Sequence, residues 1–492
     1  MVNTVLLCSC LLGVQQPNIV FLVADDLGYG ETGFQGNSQI PTPHLDALAT
    51  SGVRCTAGYV TASYCSPSRA GLLTGRYQSR FGYERNPIGG ANLEENSGLP
   101  LDEWTLADRL REQGYATGLV GKWHLGAAKI HQPQQRGFDS FWGFLHEGHY
   151  YVAGPPYENV LSFLRVRELP SGIELERSEN MILSTHMSND EPDYDADNPL
   201  YRGTEVIKKE SSYLTNAITR EAVALINTWE DQPYFLMVAY NAVHSPMQGE
   251  LRRVKAFQKI PDVQRQIFAA MLSSLDDSVG EILKAVHQQT ERPTLVAFIS
   301  DNGGPTKELT SSNAPLRGGK GDLYEGGIRV PFVISWPGKL PNGLRYDQPV
   351  ISMDLTATAL QAAIIKPTAK NDTLPVDEFT GAATDDLPLP AKTLDGVDLV
   401  PYFVDQSRRD EPHQTLYWRL NGKTAIRFGD WKLIRPEVEG RWELYHLRSD
   451  PGETSNMADR EPQLRQELMR EWLALDRQMR AHDAVRASTK TP

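Results

Sequence analysis

Five apolar runs of strand length are spread along the chain, and helical patterns lie between them. The runs cover residues 18–24, 116–120, 234–240, 295–300 and 330–335. A continuous apolar run of this length is typical of a strand that is buried on both faces. Amphipathic helix patterns alternate with the runs at residues 42–50, 105–113, 212–230 and 268–289. This alternation predicts an α/β fold with a large, mostly parallel sheet that is flanked by helices.

The pattern changes towards the C-terminus, where short strand candidates follow one another directly. They cover residues 415–420, 424–428, 431–435 and 442–447, and a helical pattern follows at about 461–480. Asn421-Gly422 and Gly429-Asp430 separate these candidates and are typical of hairpin turns. Residues 410–492 are therefore predicted to form an α+β subdomain, a small C-terminal antiparallel sheet with one helix.

The rest of the chain divides into a main domain and two irregular segments. We expect residues 17–365 to form the α/β domain, with a polar insertion at about 151–211. The acidic stretch 190–197 within it lacks the glycine and glutamate of a calcium loop and is predicted to be a solvated loop. Residues 366–409, which begin with a segment rich in Pro, Thr and Asp, are predicted to be a connection.

The N-terminus carries an apolar run at residues 5–14 that is too short to span a bilayer. It is typical of an export signal, which we predict for residues 1–16, although no Lys or Arg precedes Arg54. A foreign segment or an N-terminal strand is the alternative. Export would make the protein periplasmic or secreted, with a lipid-anchored variant also open, and no transmembrane segment is predicted. Removal of the signal leaves Cys55 and Cys65, too few for a disulfide framework.

Composition and charge narrow the classes of function. The 492 residues include 49 Lys and Arg against 62 Asp and Glu, which gives a formal net charge of −13. The hydrophobic fraction of 40% is that of a globular protein, and the acidity argues against nucleic acid as a partner. A polyanionic substrate would need a local basic patch. Five arginines against one glutamate between residues 54 and 85 offer such a patch.

Cys65 stands at the predicted start of a helix. The run Cys65-Ser-Pro-Ser-Arg69 is followed by Leu72-Leu-Thr-Gly75. Proline suits the first turn of a helix and glycine suits its end. The free N–H groups and the dipole at a helix start favour an anion, and Arg69 lies one turn further on. By itself, the pattern is compatible with a reactive thiol or with a small buried residue.

Polar side chains follow four of the predicted strands at their carboxyl ends. They are Asp25 and Asp26, Lys122 and His124, His244, and Asp301 and Asn302. In parallel α/β sheets, binding sites form at this edge. Three carboxylates and an amide carbonyl make an all-oxygen set that suits calcium or magnesium rather than zinc. Each pair alone is also common in turns and helix caps.

A glycine-rich loop at residues 316–329 carries Arg317 and Lys320, and its alternative interpretation is a mobile surface loop. Together, these motifs resemble those of the formylglycine-dependent (type I) sulfatases of the alkaline phosphatase superfamily. Residues 65–75 match the family's modification signature, and residues 121–126 match its second signature. The resemblance extends from residue 18 to residue 453, is weak at 127–211 and 366–395, and is greatest to arylsulfatase A-like sulfatases of sulfated sugars.

The resemblance implies that the protein is a sulfuric-ester hydrolase. Cys65 would be oxidised to formylglycine by a separate formylglycine-generating, or sulfatase-maturating, enzyme, and the hydrated aldehyde would attack sulfur. The implied ligands of a calcium ion, with magnesium as the alternative, are Asp25, Asp26, Asp301 and Asn302. Arg69 would steady the hydrate, Lys122 and Lys320 would neutralise the sulfate oxygens, His124 would act as a base, and His244 would act as a proton donor or sulfate ligand.

The expected substrate is a sulfated poly- or oligosaccharide such as carrageenan. His146, His149 and Tyr150 follow a predicted strand end and precede the insertion, which makes them candidate substrate contacts, and Arg317 is a fourth. The three residues of the first group could equally pack the loop. Two other functions stay open: a phosphate-monoester or phosphonate-ester hydrolase of the same superfamily, and an inactive protein that binds sulfated glycans.

Overall fold

The computed structural model describes residues 16–155, 157–363 and 393–479. The predicted export signal up to residue 15 and residues 366–392 of the predicted connection lie outside the described residues. In chain order the strands are β1 (Asn18–Ala24), β2 (Val53–Cys55), β3 (Gly58–Tyr59), β4 (Ala116–Lys122), β5 (Ser140–Phe144), β6 (Val160–Arg165), β7 (Leu175–Arg177), β8 (Met181–Ser184), β9 (Tyr201–Arg202), β10 (Glu205–Val206), β11 (Tyr234–Ala239), β12 (Met247–Glu250), β13 (Thr294–Ser300), β14 (Phe332–Ser335), β15 (Leu344–Tyr346), β16 (Val350–Ile351), β17 (Thr415–Leu420), β18 (Lys423–Phe428), β19 (Trp431–Arg435) and β20 (Glu443–His446). The helices are α1 (Pro43–Thr50), α2 (Cys65–Thr74), α3 (Leu106–Glu112), α4 (Leu214–Thr228), α5 (Leu251–Ala256), α6 (Val263–Gln288), α7 (Thr306–Leu309), α8 (Glu325–Ile328), α9 (Met353–Ala363), α10 (Val400–Val404) and α11 (Pro462–Asp476).

The large sheet has parallel strands at its centre and antiparallel strands towards its edges. Its strand order is β10-β9-β5-β4-β11-β1-β13-β14-β2-β15, and neighbours from β5 to β13 are parallel. In the middle, Ile19 of β1 pairs with Phe235 of β11 and with Leu295 of β13. The predicted α/β fold with a mostly parallel sheet is therefore confirmed, because the long apolar runs form its central strands.

Helices cover both faces of this sheet. Ile19, Phe21 and Val23 of β1 belong to one core together with α2, α3 and α9, whereas Val20 and Leu22 belong to the other core with α1, α4 and α6. All five side chains are inaccessible to solvent. Burial of one such side chain contributes about 1.5–3 kcal/mol, so a single strand stabilises both layers. None of the described helices combines the length and apolar character that crossing a bilayer requires.

β14 departs from the parallel arrangement that the alternation predicts. It begins at Phe332 and pairs antiparallel with both β13 and β2. The loop after β13 returns along the carboxyl edge of the sheet, so the chain enters β14 from that edge. The glycine-rich segment 316–329 lies in this loop and is thereby kept close to the strand ends that carry the candidate site.

The predicted insertion contains more regular structure than its polarity indicates. β6, β7 and β8 join β12 in a second sheet of order β12-β6-β8-β7, and every residue of β6 is buried. β9 and β10 extend the large sheet beyond β5. The acidic stretch 190–197 contains no helix or strand, and Asp190, Asp193 and Asp197 are exposed, although Tyr194 is only 5% exposed. This stretch is the largely solvated loop that was expected. The strands β6 to β8 were missed because the apolar run of β6 is short and stands among polar residues.

The C-terminal part forms the predicted antiparallel sheet, in the order β17-β18-β19-β20. At the first turn Asn421 and Gly422 have φ values of 50° and 79°, the left-handed pair that a type I′ hairpin turn requires. α11 packs on this sheet through Trp472, whose ring stacks on Tyr417 with centroids 5.7 Å apart. The prediction of a small sheet with one helix is confirmed.

Candidate active site

The carboxyl ends of β1 and β13 bring three carboxylates and one amide together. Asp25 and Asp26 follow β1, and Asp301 and Asn302 follow the neighbouring parallel strand. The main-chain N–H of Asp301 donates to the carbonyl oxygen of Ala24 at 3.0 Å, which continues the ladder past both strands. At Asp26 the backbone turns into the left-handed region, with a φ of 62°. Because the two strands end in register, the four side chains meet at one edge.

These side chains form a buried acidic cluster whose chemistry fits a divalent cation. One donor atom each from Asp25, Asp26, Cys65 and Asp301 lies within 4.8 Å of the others. Nδ2 of Asn302 donates to Asp26 at 2.6 Å, while its buried Oδ1 has no hydrogen-bond partner among the described residues. Burial, together with the charge of Asp25, raises the pKa of Asp301 to about 6. Crowded carboxylates and an unsatisfied amide oxygen are the environment that Ca²⁺ or Mg²⁺ stabilises.

Cys65 is the first residue of α2, and its thiol lies beside this cluster. Sγ is 3.5 Å from Oδ1 of Asp25, and the side chain is buried. Burial raises the pKa of the Cys65 thiol well above its ordinary value, so the thiol stays protonated at neutral pH and is a poor nucleophile. Cys65 is also surrounded by carboxylates and ammonium groups, so its position is not explained by the packing of a small apolar residue. The unmodified thiol thus suits neither of the two simple interpretations.

Two lysines pair with the first two carboxylates: the side chain of Lys122 is fully buried and that of Lys320 is 13% exposed. Nζ of Lys122 lies 2.7 Å from Oδ2 of Asp25, and Nζ of Lys320 lies 2.8 Å from Oδ2 of Asp26. Although burial opposes the charged form, the carboxylate of Asp26 holds the pKa of Lys320 well above its ordinary value. Lys320 reaches the cluster from the glycine-rich loop, which is therefore part of the site.

Arg69 on α2 supplies a third cation, and its side chain is fully buried. Its Nε and Nη2 lie 2.9 and 2.8 Å from Oδ2 of Asp301. Two other arginines of the basic run are used elsewhere: Arg76 pairs with Glu103 at 2.7 Å, and Arg80 pairs with an aspartate near α10 at 2.6 Å. The expectation that the whole run forms a basic patch was wrong, because acidic residues from distant segments neutralise Arg76 and Arg80.

His124 has its tautomer fixed by one hydrogen bond. Nε2 lies 2.9 Å from the carbonyl oxygen of Pro87, which can only accept, so Nε2 carries the proton. Nδ1 is buried and has no hydrogen-bond partner in the described part of the chain. Burial, together with the charge of Lys122, lowers the pKa of His124 well below its ordinary value. The neutral imidazole therefore presents a free lone pair, as a general base requires.

His244 follows β11 and faces Asp26. Its Nδ1 donates to the carbonyl oxygen of Ser245 at 2.7 Å, and its Nε2 lies 3.7 Å from Oδ2 of Asp26. Burial, together with the charge of Lys320, lowers the pKa of His244 to about 3. An anionic ligand next to Nε2 would raise this pKa again, because negative charge stabilises the imidazolium.

A pocket of about 750 Å³ opens beside His244 and Lys320, which belong to its wall. This volume is in the range of sites for small organic ligands and exceeds what one sulfate group needs. The other lining residues are Tyr64, Asn86, Ile88, Glu147, Arg165, Met187, Asn189, Pro192, Tyr194, Pro305, Thr306, Lys307, Glu308, Gly318, Gly319 and Asp322.

Sequence reasoning missed several of these residues, above all Arg165, Tyr194 and Glu308. Arg165 ends β6, is 7% exposed, and pairs with Glu191 and Glu308 at 2.8 and 2.9 Å. An arginine directly after a short apolar run is the one signal that the sequence offers for it. Tyr194 and Glu308 stand in no recognisable motif, and only the fold brings them next to His244.

The structure places three of the predicted substrate contacts in packed positions. Nδ1 of His149 lies 2.8 Å from the carbonyl oxygen of Tyr150, and His146 is 2% exposed. The residues that line the 750 Å³ pocket include the neighbouring Glu147 but none of these three. A role of His146, His149 and Tyr150 in binding substrate stays a prediction.

The fourth predicted substrate contact, Arg317, is held by the C-terminal subdomain. Its guanidinium lies 3.9 Å from the ring centroid of Tyr324, and its Nη1 donates to the hydroxyl of Tyr445 at 3.0 Å and to the carbonyl oxygen of Glu453 at 3.1 Å. The side chain is 44% exposed, so part of it stays accessible to a ligand. Its substrate role is likewise still a prediction.

Known proteins resemble this chain over most of its length. The Sulfatase family matches residues 17–365. Arylsulfatase A from Homo sapiens is 32% identical in an alignment of 437 positions that covers 87% of this chain and 76% of that protein. Steryl-sulfatase from Homo sapiens is 31% identical in an alignment of 459 positions that covers 84% of this chain and 74% of that protein.

A solved structure resembles the chain in three dimensions as well. The structure of Ps i-CgsB in complex with k-i-k-neocarrahexaose superimposes with a TM-score of 0.77 at 30% sequence identity and covers 96% of each chain. The matched family region includes the acidic cluster, Cys65, both histidines and the glycine-rich loop. The chain therefore belongs to the sulfatase family, the enzymes that hydrolyse sulfate esters.

Proposed function

We propose that this sulfatase removes sulfate from a sulfated carbohydrate, with a nucleophile made from Cys65 and with a calcium ion at the acidic cluster. The observation that carries the proposal is the place of Cys65 at the start of α2, where Sγ lies within 4.8 Å of oxygens from Asp25, Asp26 and Asp301. A protonated, buried thiol at this position would be a poor nucleophile. A modified side chain next to a cation could act as the nucleophile.

Two groups that the family implies fit the residues described above. Oxidation of Cys65 by a maturating enzyme would supply formylglycine, whose hydrate offers one hydroxyl to attack sulfur and a second to expel sulfate afterwards. A calcium ion at Asp25, Asp26, Asp301 and Asn302 would supply positive charge for a sulfate oxygen.

The remaining steps belong to side chains of the chain itself. A cation at the cluster would bind the carboxylates of Asp25 and Asp26, which now pair with Lys122 and Lys320. The two ammonium groups would then be free to bind the charged sulfate oxygens. Arg69 is held by Asp301 and by the carbonyl oxygen of Lys122 at 3.0 Å, so its guanidinium steadies the substituents of residue 65. These cations lie where negative charge concentrates as the ester reacts.

The two histidines move protons at opposite stages. Once an anionic ester has raised its pKa, His244 takes up a proton from solvent at Nε2 and donates it to the leaving oxygen, and His124 accepts a proton through its free Nδ1 when sulfate is released. The hydroxyl of Ser66 donates to the carbonyl oxygen of His124 at 2.6 Å, which ties this histidine to the start of α2.

The carbohydrate part of the proposal is supported by the pocket and by one neighbour. Tyr64 and Tyr194 offer aromatic faces, and Glu147 and Glu308 offer acceptors for hydroxyl groups. Ps i-CgsB was solved with a neocarrahexaose, which favours a carrageenan-type oligosaccharide. Export, which the apolar run at residues 5–14 predicts, would bring the protein to a polysaccharide outside the cell.

Mass spectrometry of the tryptic peptide that contains Cys65 tests this function. After co-expression with a maturating enzyme, we expect an aldehyde in place of the thiol and turnover of sulfate esters, and Cys65→Ala should abolish that turnover. A peptide that stays a thiol, in a protein that cleaves no sulfate ester, would refute the proposal.

Substrate comparisons then separate the alternatives. We expect a sulfate ester to be cleaved faster than a phosphate ester of the same leaving group, and carrageenan oligosaccharides to be desulfated in preference to fucan, ulvan or glycosaminoglycan oligosaccharides. Faster phosphate turnover would indicate the phosphate- or phosphonate-ester hydrolase. Binding of sulfated glycans without turnover by matured protein would indicate the binding protein.

A further inference from the structure

Four polar side chains beside His244 form a closed circle of three hydrogen bonds and one ion pair, which we call the Arg165 network: Arg165, Tyr194, Ser245 and Glu308. Nη2 of Arg165 lies 3.2 Å from the hydroxyl of Tyr194, which lies 2.8 Å from Oγ of Ser245. Oγ of Ser245 lies 2.8 Å from Oε1 of Glu308, and Nη1 of Arg165 closes the circle at 2.9 Å from the same oxygen.

Each hydrogen bond of the Arg165 network can run in only one direction. The carboxylate of Glu308 accepts from Oγ of Ser245, so this oxygen must in turn accept from the hydroxyl of Tyr194. The hydroxyl oxygen of Tyr194 then accepts from Arg165, which is a donor only. Because every link has one direction, the four groups stabilise one arrangement and resist alternative rotamers.

Ser245 connects the Arg165 network to the active site. Its carbonyl oxygen accepts from Nδ1 of His244 at 2.7 Å, which fixes the tautomer of the imidazole. The ring of Tyr194 lies edge-on to that imidazole, with centroids 5.8 Å apart and an interplanar angle of 77°, which fixes its plane. Ser245 is 2% exposed, so this arrangement is buried at the base of the pocket.

We propose that Arg165, Tyr194, Ser245 and Glu308 are positioning residues that hold His244 with Nε2 directed at the reacting ester. Three segments outside the metal cluster, β6, the acidic stretch and α7, supply Arg165, Tyr194 and Glu308, whereas Ser245 follows His244 directly in the chain. The insertion would thus contribute to the rate of the reaction and not only to the shape of the pocket. This inference rests on the role proposed above for His244.

Two variants each remove one hydroxyl, and with it two contacts of the Arg165 network, while they nearly preserve side-chain size. In Tyr194→Phe and Ser245→Ala, we expect kcat for phenyl sulfate to fall about tenfold more than kcat for 4-nitrophenyl sulfate, with little change in KM. The poorer leaving group depends more on a correctly placed histidine. Tyr201→Phe is the matched control, because it removes a tyrosine hydroxyl from the same insertion at a position outside the pocket wall.

A double-mutant cycle with His244→Ala completes the kinetic test. In that background the two network variants should cause no further loss, because their effect acts through His244. Equal losses for the two esters, or losses that add to that of His244→Ala, would overturn the inference.

A measurement that does not depend on turnover tests whether the Arg165 network positions His244, separately from the catalytic role of His244. In ¹⁵N NMR, His244 should show a single Nδ1–H tautomer in the wild type and a mixture in Tyr194→Phe. If His244→Ala does not change the turnover of either ester, the proposed role of His244 fails. If the tautomer of His244 is also unchanged in Tyr194→Phe, the positioning role of the network is overturned as well.

Discussion

At the scale of single residues, the site depends on which atom of each side chain is left free. The bond from Nε2 of His124 to the carbonyl oxygen of Pro87 leaves Nδ1 available, and the bond from Nδ2 of Asn302 to Asp26 leaves Oδ1 available. The sequence indicates that His124 and Asn302 belong to a site. Which atom each presents follows from partners that lie far away in the chain.

Replacement of Lys320 by Met should lower kcat/KM by about a hundredfold or more, because the ammonium group stabilises developing negative charge in a buried site. Lys284→Met is the control, since Lys284 is exposed on α6. Steady-state kinetics of matured protein, with circular dichroism to check the fold, measures the effect. Wild-type turnover in Lys320→Met would remove Lys320 from the catalytic set.

Replacement of Arg69 by Ala should abolish turnover and also destabilise the fold. The change leaves the buried carboxylate of Asp301 without its cation, a loss of about 3–5 kcal/mol in the free energy of unfolding. Arg448→Ala is the control, because its side chain is 70% exposed and pairs with Asp430 at the surface, where we expect no measurable change. Urea denaturation that shows equal stability for both variants would contradict this account.

At the scale of elements, the strand ends were predictable, and the direction of each strand was only partly so. Long apolar runs marked β1, β4, β11 and β13, and the polar residues after them reached one edge because parallel strands end together. The end of α2 at Gly75 was predictable too, since glycine adopts the left-handed φ of 70° found there. The antiparallel direction of β14 and the second sheet were not predictable, because pairing partners are chosen by contacts between distant segments.

Removal of divalent metal should reduce both turnover and thermal stability, because the ends of β1 and β13 would lose the cation that balances their carboxylates. Dialysis of matured protein against EDTA is expected to lower Tm and abolish activity, and calcium should restore both. In Asp26→Asn the response of Tm to calcium should be weakened, whereas Asp231→Asn, on an exposed turn, should keep it. Full activity after exhaustive chelation would exclude a metal-dependent site.

At the scale of the whole molecule, the net charge of −13 describes the surface and not the site. The site gathers Lys122, Lys320 and Arg69 from three separate segments around one acidic cluster. Long-range packing also joins the C-terminal sheet to the glycine-rich loop, because Lys432 of β19 lies 3.0 Å from Glu325 and 2.9 Å from Glu453. All three of these side chains are inaccessible to solvent.

This buried triad should make stability depend on pH. Burial raises the pKa of Glu453 to about 7, with Glu325 adding to the shift and Lys432 opposing it. The folded pKa lies above the ordinary 4.5, so the contribution is complete below about pH 4.5 and is lost as pH rises through 7. We expect a loss of up to about 3 kcal/mol over this window.

Glu453→Gln tests the effect, because the amide cannot titrate. Urea denaturation at pH 5 and pH 8 should show a smaller decrease in the free energy of unfolding for the variant than for the wild type. Asp459→Asn, at an exposed position, should behave as the wild type. Identical pH dependence in Glu453→Gln and the wild type would assign the effect to other groups.

The sequence by itself determined the local features of this protein: the strand runs, the turns, the helix that begins at Cys65, and the residue types of an anion site with a cation. These follow from short-range preferences and from periodicity, which any stretch of the chain expresses. Only the tertiary structure decided that Arg76 and Arg80 are neutralised, that β14 is antiparallel, and that Arg165, Tyr194 and Glu308 stand beside His244. Such contacts join distant segments, and their energies depend on burial and on partners that no local pattern contains.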